Sequence, residues 1–305
     1  MASVLTYKKL DKKQKAAVNL TIKLKDGRNL GYADLGNPEA KPLFHFHGFP
    51  GSRLEVAIFA DRVVQNNIRL IGIDRPGMGL SDFKKDRTIL DWPDDVIELA
   101  DALGIEKFAI EGISGGGPYA AACAYKIPDR LTSCGIISGI GPMDLEVEEK
   151  IKSIRRLSFV IRRMPWLFKL KISFQSRGLK DLEKAERKMG ETIKKFPEPD
   201  REVMDDPKLL HLFIRESAEA FRQGNKGAFY EGKLYAKPWG FSLEDISPKL
   251  KVYIWHGEVD EAVPIAMGRG MCKAIPNCEG KFYPNDGHYS TIFKYFEDIV
   301  SALTS

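Results

Sequence analysis

The stretch Gly112-Ile113-Ser114-Gly115-Gly116 sets one serine among glycines, between the apolar run 107–113 and the alanine-rich segment 116–126. It fits G-x-S-x-G in the setting that pattern requires, a strand before and a helix after. A serine on so tight a turn has strained backbone angles, and neighbours without Cβ let strand and helix come close. The hydroxyl then stands clear of the strand end, and the Gly115 N–H at a helix start faces any anion that forms above it. The chemistry is nucleophilic attack with half an oxyanion hole. A phosphate cradle is the competing use of such a turn, but no Gly-Lys-Ser/Thr follows.

A serine hydroxyl is a weak nucleophile until a base takes its proton, so a histidine must be found. The chain has five. His211 lies among Leu209, Leu210, Leu212 and Phe213, where packing is the plain reading. His45 and His47 form an H-x-H pair with no further ligand pattern, so no metal site is expected, and His256 sits at a strand end where a structural role is expected. His288, in Asn285-Asp286-Gly287-His288 between the last strand and the last helix, is the candidate base. The loop after Trp255-His256-Gly257 supplies Asp260 to accept the other imidazole proton, and the order Ser114, Asp260, His288 is the one this motif uses. Asp144, after the preceding strand, is the rival acid. The second oxyanion donor is expected from His47-Gly48-Phe49-Pro50, with the Phe49 N–H joining that of Gly115. His47, Gly48 and Ile113 are further candidates for touching substrate. Asp74, Arg75 and Ser81 read as turn and core-rim residues.

These residues need a sheet to hold them. Residues 16–36 alternate apolar and polar around Asp26-Gly27, a hairpin, and short apolar runs follow at 42–48, 68–74, 107–113, 131–138, 251–257 and 280–284. Helical patterns separate them at 54–66, 89–104, 116–126, 264–275 and 289–303. Strand alternating with helix predicts an α/β fold with a mostly parallel, doubly wound sheet. The rhythm breaks at residues 143–247, a helical stretch rich in Lys, Arg and Glu. It is expected as a cap inserted into a core made of residues 1–142 and 248–305, over the carboxyl edge where open α/β sheets bind ligands. Trp166, Phe168, Phe213 and Phe221 are its candidate pocket residues. From Lys150 to Lys171 there are eight basic residues and no acid. Ile151, Ile154, Leu157 and Ile161 are expected to cover the core, leaving little apolar face for lipid.

Together, His47-Gly48-Phe49-Pro50, residues 74–81 (DRPGMGLS), Gly112 to Gly116, Gly257-Glu258-Val259-Asp260 with Val263-Pro264, and Gly287-His288 resemble a capped α/β-hydrolase-fold enzyme. Residues 47–55 (HGFPGSRLE) and 112–124 resemble a microbial, carboxylesterase-like branch. The resemblance implies acyl transfer from carboxylic esters to water, a Ser-His-Asp triad and no cofactor. The cap is expected to enclose a pocket of at most several hundred to about 1,000 Å³, so small to medium, uncharged or weakly anionic esters are the expected substrates. Epoxide hydrolases and haloalkane dehalogenases carry aspartate at the nucleophile, so Ser114 departs from both. C–C bond hydrolysis, lactone hydrolysis, acyl transfer and perhydrolysis on the same triad, and a ligand receptor with a vestigial triad, stay open.

Composition agrees with an enzyme of small molecules. At 305 residues, with 43% hydrophobic and 29% charged content, the chain can bury a large core. A net charge of +5 spread along the sequence does not predict a nucleic-acid partner. The basic first twenty residues lack an apolar h-region, and no apolar run reaches ~18 residues. The expected partner is a small ester, with no stable membrane insertion and a cytoplasmic location. Scattered Cys123, Cys134, Cys272 and Cys278 predict no disulfide framework.

Overall fold

A computed structural model describes residues 17–145, 147 and 152–305. The Asp26-Gly27 turn joins β1 (Leu20–Lys23) to β2 (Asn29–Gly36), with Gly27 at a φ of 86°, where a side chain would be strained. β2 runs antiparallel to β4 (Arg69–Ile73). β4, β3 (Pro42–Phe46), β5 (Phe108–Ile113), β6 (Leu131–Ile137), β7 (Val252–Gly257) and β8 (Cys278–Tyr283) then lie parallel, giving the order β1-β2-β4-β3-β5-β6-β7-β8. This is the doubly wound, mostly parallel α/β sheet that the sequence predicts.

The short apolar runs are explained by burial on both faces. Successive residues point to opposite sides of a strand. Phe44, Ile71, Ile110, Ile136 and Ile254 join one core; their neighbours Leu43, Leu70, Ala109, Ile137 and Trp255 join the other. Helices α1 (Ala60–Gln65), α2 (Trp92–Ala102) and α3 (Gly117–Lys126) pack against these faces. In α3, Ala120, Ala121, Ala122 and Ala124 are fully buried, and their small size lets the helix lie close on the sheet.

Between β6 and β7 run α4 (Lys152–Arg163), α5 (Pro165–Gly178), α6 (Leu182–Ile193), α7 (Glu198–Met204), α8 (Pro207–Ala220) and α9 (Lys226–Tyr235). The apolar set expected to cover the core divides. Ile161 is buried beside Phe168, whereas Leu157 is 43% exposed; Ile151 and the Ile154 side chain lie outside the described residues. The buried residues of α4 at this level are Ser158 and Ile161, and Leu157, one turn before Ile161, lies at the rim of that face.

After β7 come α10 (Ile265–Ala274), α11 (His288–Lys294) and α12 (Phe296–Thr304). The expected single helix over 289–303 is two, broken at Tyr295. That ring stacks on Tyr283 with centroids 3.7 Å apart, and its hydroxyl donates to Asp286 at 2.9 Å. Asp74, Arg75 and Ser81, expected at the core rim, are fully buried. Arg53 explains this for Asp74, since its Nη1 donates to the carboxylate at 2.8 Å inside the core. Among the described residues no helix is long and apolar enough to cross a membrane.

Candidate active site

Ser114 stands where β5 turns into a 3-10 turn and α3, with a φ of 53°, a left-handed conformation that a non-glycine residue rarely adopts. Its glycine neighbours are required by space. A Cβ on Gly116 would lie 2.0 Å from the Phe46 carbonyl oxygen, and one on Gly112 would lie 2.4 Å from the Gly116 oxygen. The sequence therefore has no alternative to glycine on either side of this serine.

The loop after β3 lies against the turn. A Cβ on Gly115 would meet Phe49 Cβ at 2.5 Å and Phe49 N at 3.2 Å. Neither the Phe49 N–H nor the Gly115 N–H is engaged by another described group. Four buried side chains set this loop and the turn beside it. His47 donates from Nδ1 to the Gly48 carbonyl at 2.9 Å and accepts at Nε2 from the Arg75 N–H at 3.3 Å. Burial, then the Arg75 charge, holds the His47 pKa well below its ordinary value, so the ring is neutral. Arg75 donates to the His47 and Gly48 carbonyls at 2.5 and 2.8 Å and to Glu231 on α9 at 2.7 Å. Burial opposes ionisation of Glu231, but Arg75 and Arg87 outweigh it and keep that carboxylate below its ordinary pKa. The Tyr235 hydroxyl stands 2.8 Å from the Gly115 carbonyl oxygen and 2.5 Å from Glu231, sharing one proton between two acceptors. Helix α9 thus fixes both halves of the expected oxyanion site.

His288 begins α11, and its Nδ1 donates to Asp260 Oδ2 at 2.7 Å, leaving Nε2 as the basic nitrogen. Asp260 is held on its other oxygen by the Ala262 and Val263 N–H groups, each at 2.8 Å. Burial opposes its charge, yet His288 and His256 outweigh that and put its pKa well below the usual carboxylate range. Burial disfavours imidazolium at His288, but the charge of Asp260, with Asp200 and Glu55 behind it, raises its pKa overall. Asp144 is exposed and opens onto a separate groove with Ser242 and Glu244. His256 is buried, donating to the Val263 carbonyl at 2.8 Å; His211 joins Glu186 at 2.7 Å within the inserted helices.

Asp200 on α7 has no counterpart in the sequence reading. Its Oδ2 accepts from the His288 N–H at 2.8 Å, and its Oδ1 from those of Tyr289 and Ser290 at 2.9 and 2.8 Å. A buried carboxylate at the start of α11 meets the unpaired donors and positive end of that helix. The partners stand 88 to 90 positions apart, so no local pattern in the sequence links them.

Ser114 and His288 line one cavity of about 70 Å³, with Gly48, Phe49, Ile113 and Phe213 among the expected residues. Phe59, Tyr289, Ile292 and Phe293 make the rest of it apolar. His47 lies beneath its loop instead of on the cavity. Trp166 is 66% exposed, and Phe168 and Phe221 are packed into a separate cluster with Met78 and Ala228. Phe168 is drawn there because Gly232 leaves room for its ring. The cavity also holds two carboxyl groups that the sequence did not mark. Glu55 accepts from the Gly48 N–H at 2.8 Å and meets His45 at 3.0 Å. Glu216 accepts from the Ser52 N–H; burial, then the Glu55 charge, pushes its pKa well up.

Residues 41–295 match the alpha/beta hydrolase fold family. The chain belongs to that family. This hydrolase is 26% identical over 278 residues to a bifunctional esterase/perhydrolase of Acinetobacter calcoaceticus, covering 88% of the chain and 92% of the relative. It is 26% identical over 268 residues to a proline iminopeptidase of Clostridium botulinum, covering 81% and 83%. Among solved structures, an esterase from Exiguobacterium antarcticum superposes with a TM-score of 0.68 at 20% identity, covering 94% of this chain and all of that one.

Proposed function

We propose that this hydrolase cleaves carboxylic esters of short acyl groups, with Ser114 as nucleophile, His288 as general base and acid, and Asp260 as the group that fixes the histidine. The observation carrying the proposal is that Ser114, on a strained turn, shares one small cavity with a histidine whose other nitrogen is tied to a buried carboxylate at 2.7 Å. His288 takes the hydroxyl proton as Ser114 attacks the carbonyl carbon. The Phe49 and Gly115 N–H groups receive the oxyanion, each contributing about 3 kcal/mol to lowering the barrier. His288 returns the proton to the leaving alcohol, and a water activated in the same way releases the acid. The helices between β6 and β7 serve as the cap.

Size supports a short acyl group. Drug-sized ligands occupy pockets of roughly 300–1,000 Å³, against about 70 Å³ here. Glu55 on the wall, with no Lys or Arg lining it, disfavours anionic acyl groups, a narrower preference than the sequence implied. Turnover of p-nitrophenyl esters from acetate upward, with Ser114→Ala as control, tests this. The account expects a maximum at acetate or propionate and a steep fall beyond butyrate. A maximum at long chains overturns the short-acyl reading. A second acceptor, hydrogen peroxide, fits the same small cavity and the likeness to an esterase/perhydrolase; peracid formation from acetate esters is its test.

A further inference from the structure

Helix α5 is apolar on two sides. Phe168 and Ile172 face inward, with Leu179 just beyond the helix, against Met78, Phe221 and Ala228. The opposite side carries Trp166, Leu170 and Phe174, four residues apart and therefore in one stripe, 66%, 45% and 61% exposed, with Leu167 beside them. Leu157 and Phe159 of α4 are 43% and 60% exposed. Six of the eight large hydrophobic side chains that the described residues leave exposed therefore lie on these two helices, four of them together on α5. Neither helix contains an acidic residue. From Lys150 to Lys180 there are ten basic residues and no acid. Arg155, Arg156, Arg162, Arg163, Lys169, Lys171 and Arg177 are all exposed, and none forms an ion pair with a described carboxylate.

We propose that α4 and α5 dock this hydrolase, peripherally, on an anionic phospholipid surface. An aromatic and leucine stripe among arginines and lysines is the composition of a helix that lies in a bilayer interface. The apolar side chains enter the acyl boundary and the cations meet lipid phosphates. Trp suits that boundary, with an apolar body and a polar N–H. A second copy of the chain would bring two basic faces together, and like charges oppose that pairing. A nucleic acid would satisfy the cations and leave the stripe in water. The apolar residues of α4 were expected on the core; Leu157 is left partly exposed at the rim, and the α5 stripe adds to it. Docking places the enzyme on a surface and leaves its small cavity unchanged, so it stands apart from the assignment of Ser114.

The four tryptophans make the test direct. Trp92, Trp239 and Trp255 are at most 4% exposed, so Trp166 dominates any change in emission on binding. Co-sedimentation and tryptophan emission are measured with vesicles of phosphatidylglycerol and phosphatidylcholine in equal parts, and with phosphatidylcholine alone. The mixed vesicles should bind the protein, shift the emission to the blue and release it at high salt. Lys169→Glu/Lys171→Glu should bind at least ~25-fold more weakly, since each cation near such a surface is worth roughly fivefold. Trp166→Ser/Phe174→Ser should lose the shift and most of the binding. Both variants should turn over a soluble acetate ester as the unaltered protein does, which establishes that they fold. No binding to mixed vesicles, equal binding to both vesicle types, or binding without an emission shift overturns the proposal. So does a concentration-dependent dimer, without vesicles, in which Trp166 emission is already blue.

Discussion

Replacing Asp200 by Asn probes whether the inserted helices position His288, the proposed base. Both carboxylate oxygens are used, one by the His288 N–H and the other by those of Tyr289 and Ser290. Asn offers a single oxygen, so at least one buried N–H loses its partner, at a cost of about 1–3 kcal/mol. The start of α11 also loses a negative charge worth about 0.3–1 kcal/mol. The larger consequence is kinetic. A shift of the imidazole by ~1 Å can cost up to ~100-fold, so kcat on p-nitrophenyl acetate should fall about 10- to 100-fold well below the melting temperature. The pH profile adds a signature. In the proposed mechanism His288 acts as base when neutral, and Asp200 is one of the charges that raise its pKa. Removing that charge lowers the pKa, so the acid limb of kcat/KM should move to lower pH. Asp200→Glu should recover part of the loss by restoring charge. If Asp200→Asn melts earlier but keeps full kcat and an unmoved acid limb, Asp200 is only a helix cap and the reasoning fails.

Asp260→Asn should lower kcat by roughly 10⁴-fold, because the imidazole tautomer is no longer fixed, while Asp144→Asn should stay within twofold; a crippled Asp144→Asn with an intact Asp260→Asn would reverse the assignment. His45, buried between Glu111 and Glu55 at 2.8 and 3.0 Å, has a pKa raised to about 9 by those carboxylates against the cost of burial. A raised histidine pKa adds stability that is full below its unfolded value near 6.5 and lost as pH rises through about 9. The total is on the order of 3 kcal/mol. Urea unfolding should show that decline in the unaltered protein and a flatter one in His45→Asn; equal slopes would show that His45 is not charged. Gly116→Ala should destabilise by more than ~4 kcal/mol, since its Cβ would meet a backbone oxygen at 2.0 Å. A near-normal melting temperature for that variant contradicts the account of the turn.

What could be read in the sequence was what local pattern encodes. Continuous apolar runs, buried on both faces, made the parallel strands visible, and the glycines of 112–116 marked the turn because only they fit there. Asp260 and His288 were legible because each directly follows a strand in the expected order. The residues that hold these parts were not. Arg75, Glu231, Tyr235 and Asp200 act across the fold, and a charged residue beside an apolar run does not reveal its distant partner. Trp166, Phe168 and Phe221 were misplaced for a related reason. An aromatic in an amphipathic helix has two faces open to it, and which one meets the cavity is decided by neighbours such as Gly232, whose missing side chain accepts the Phe168 ring. Cavity size depends on all of these at once, which is why the pocket proved smaller than its aromatic lining implied.

The central claim, that Ser114 attacks the substrate, is tested most directly by fluorophosphonate labelling followed by peptide mass spectrometry. One adduct per chain is expected, on Ser114, with esterase activity lost in proportion to labelling and no adduct in Ser114→Ala. Labelling at another residue, or full ester turnover by Ser114→Ala, would contradict it.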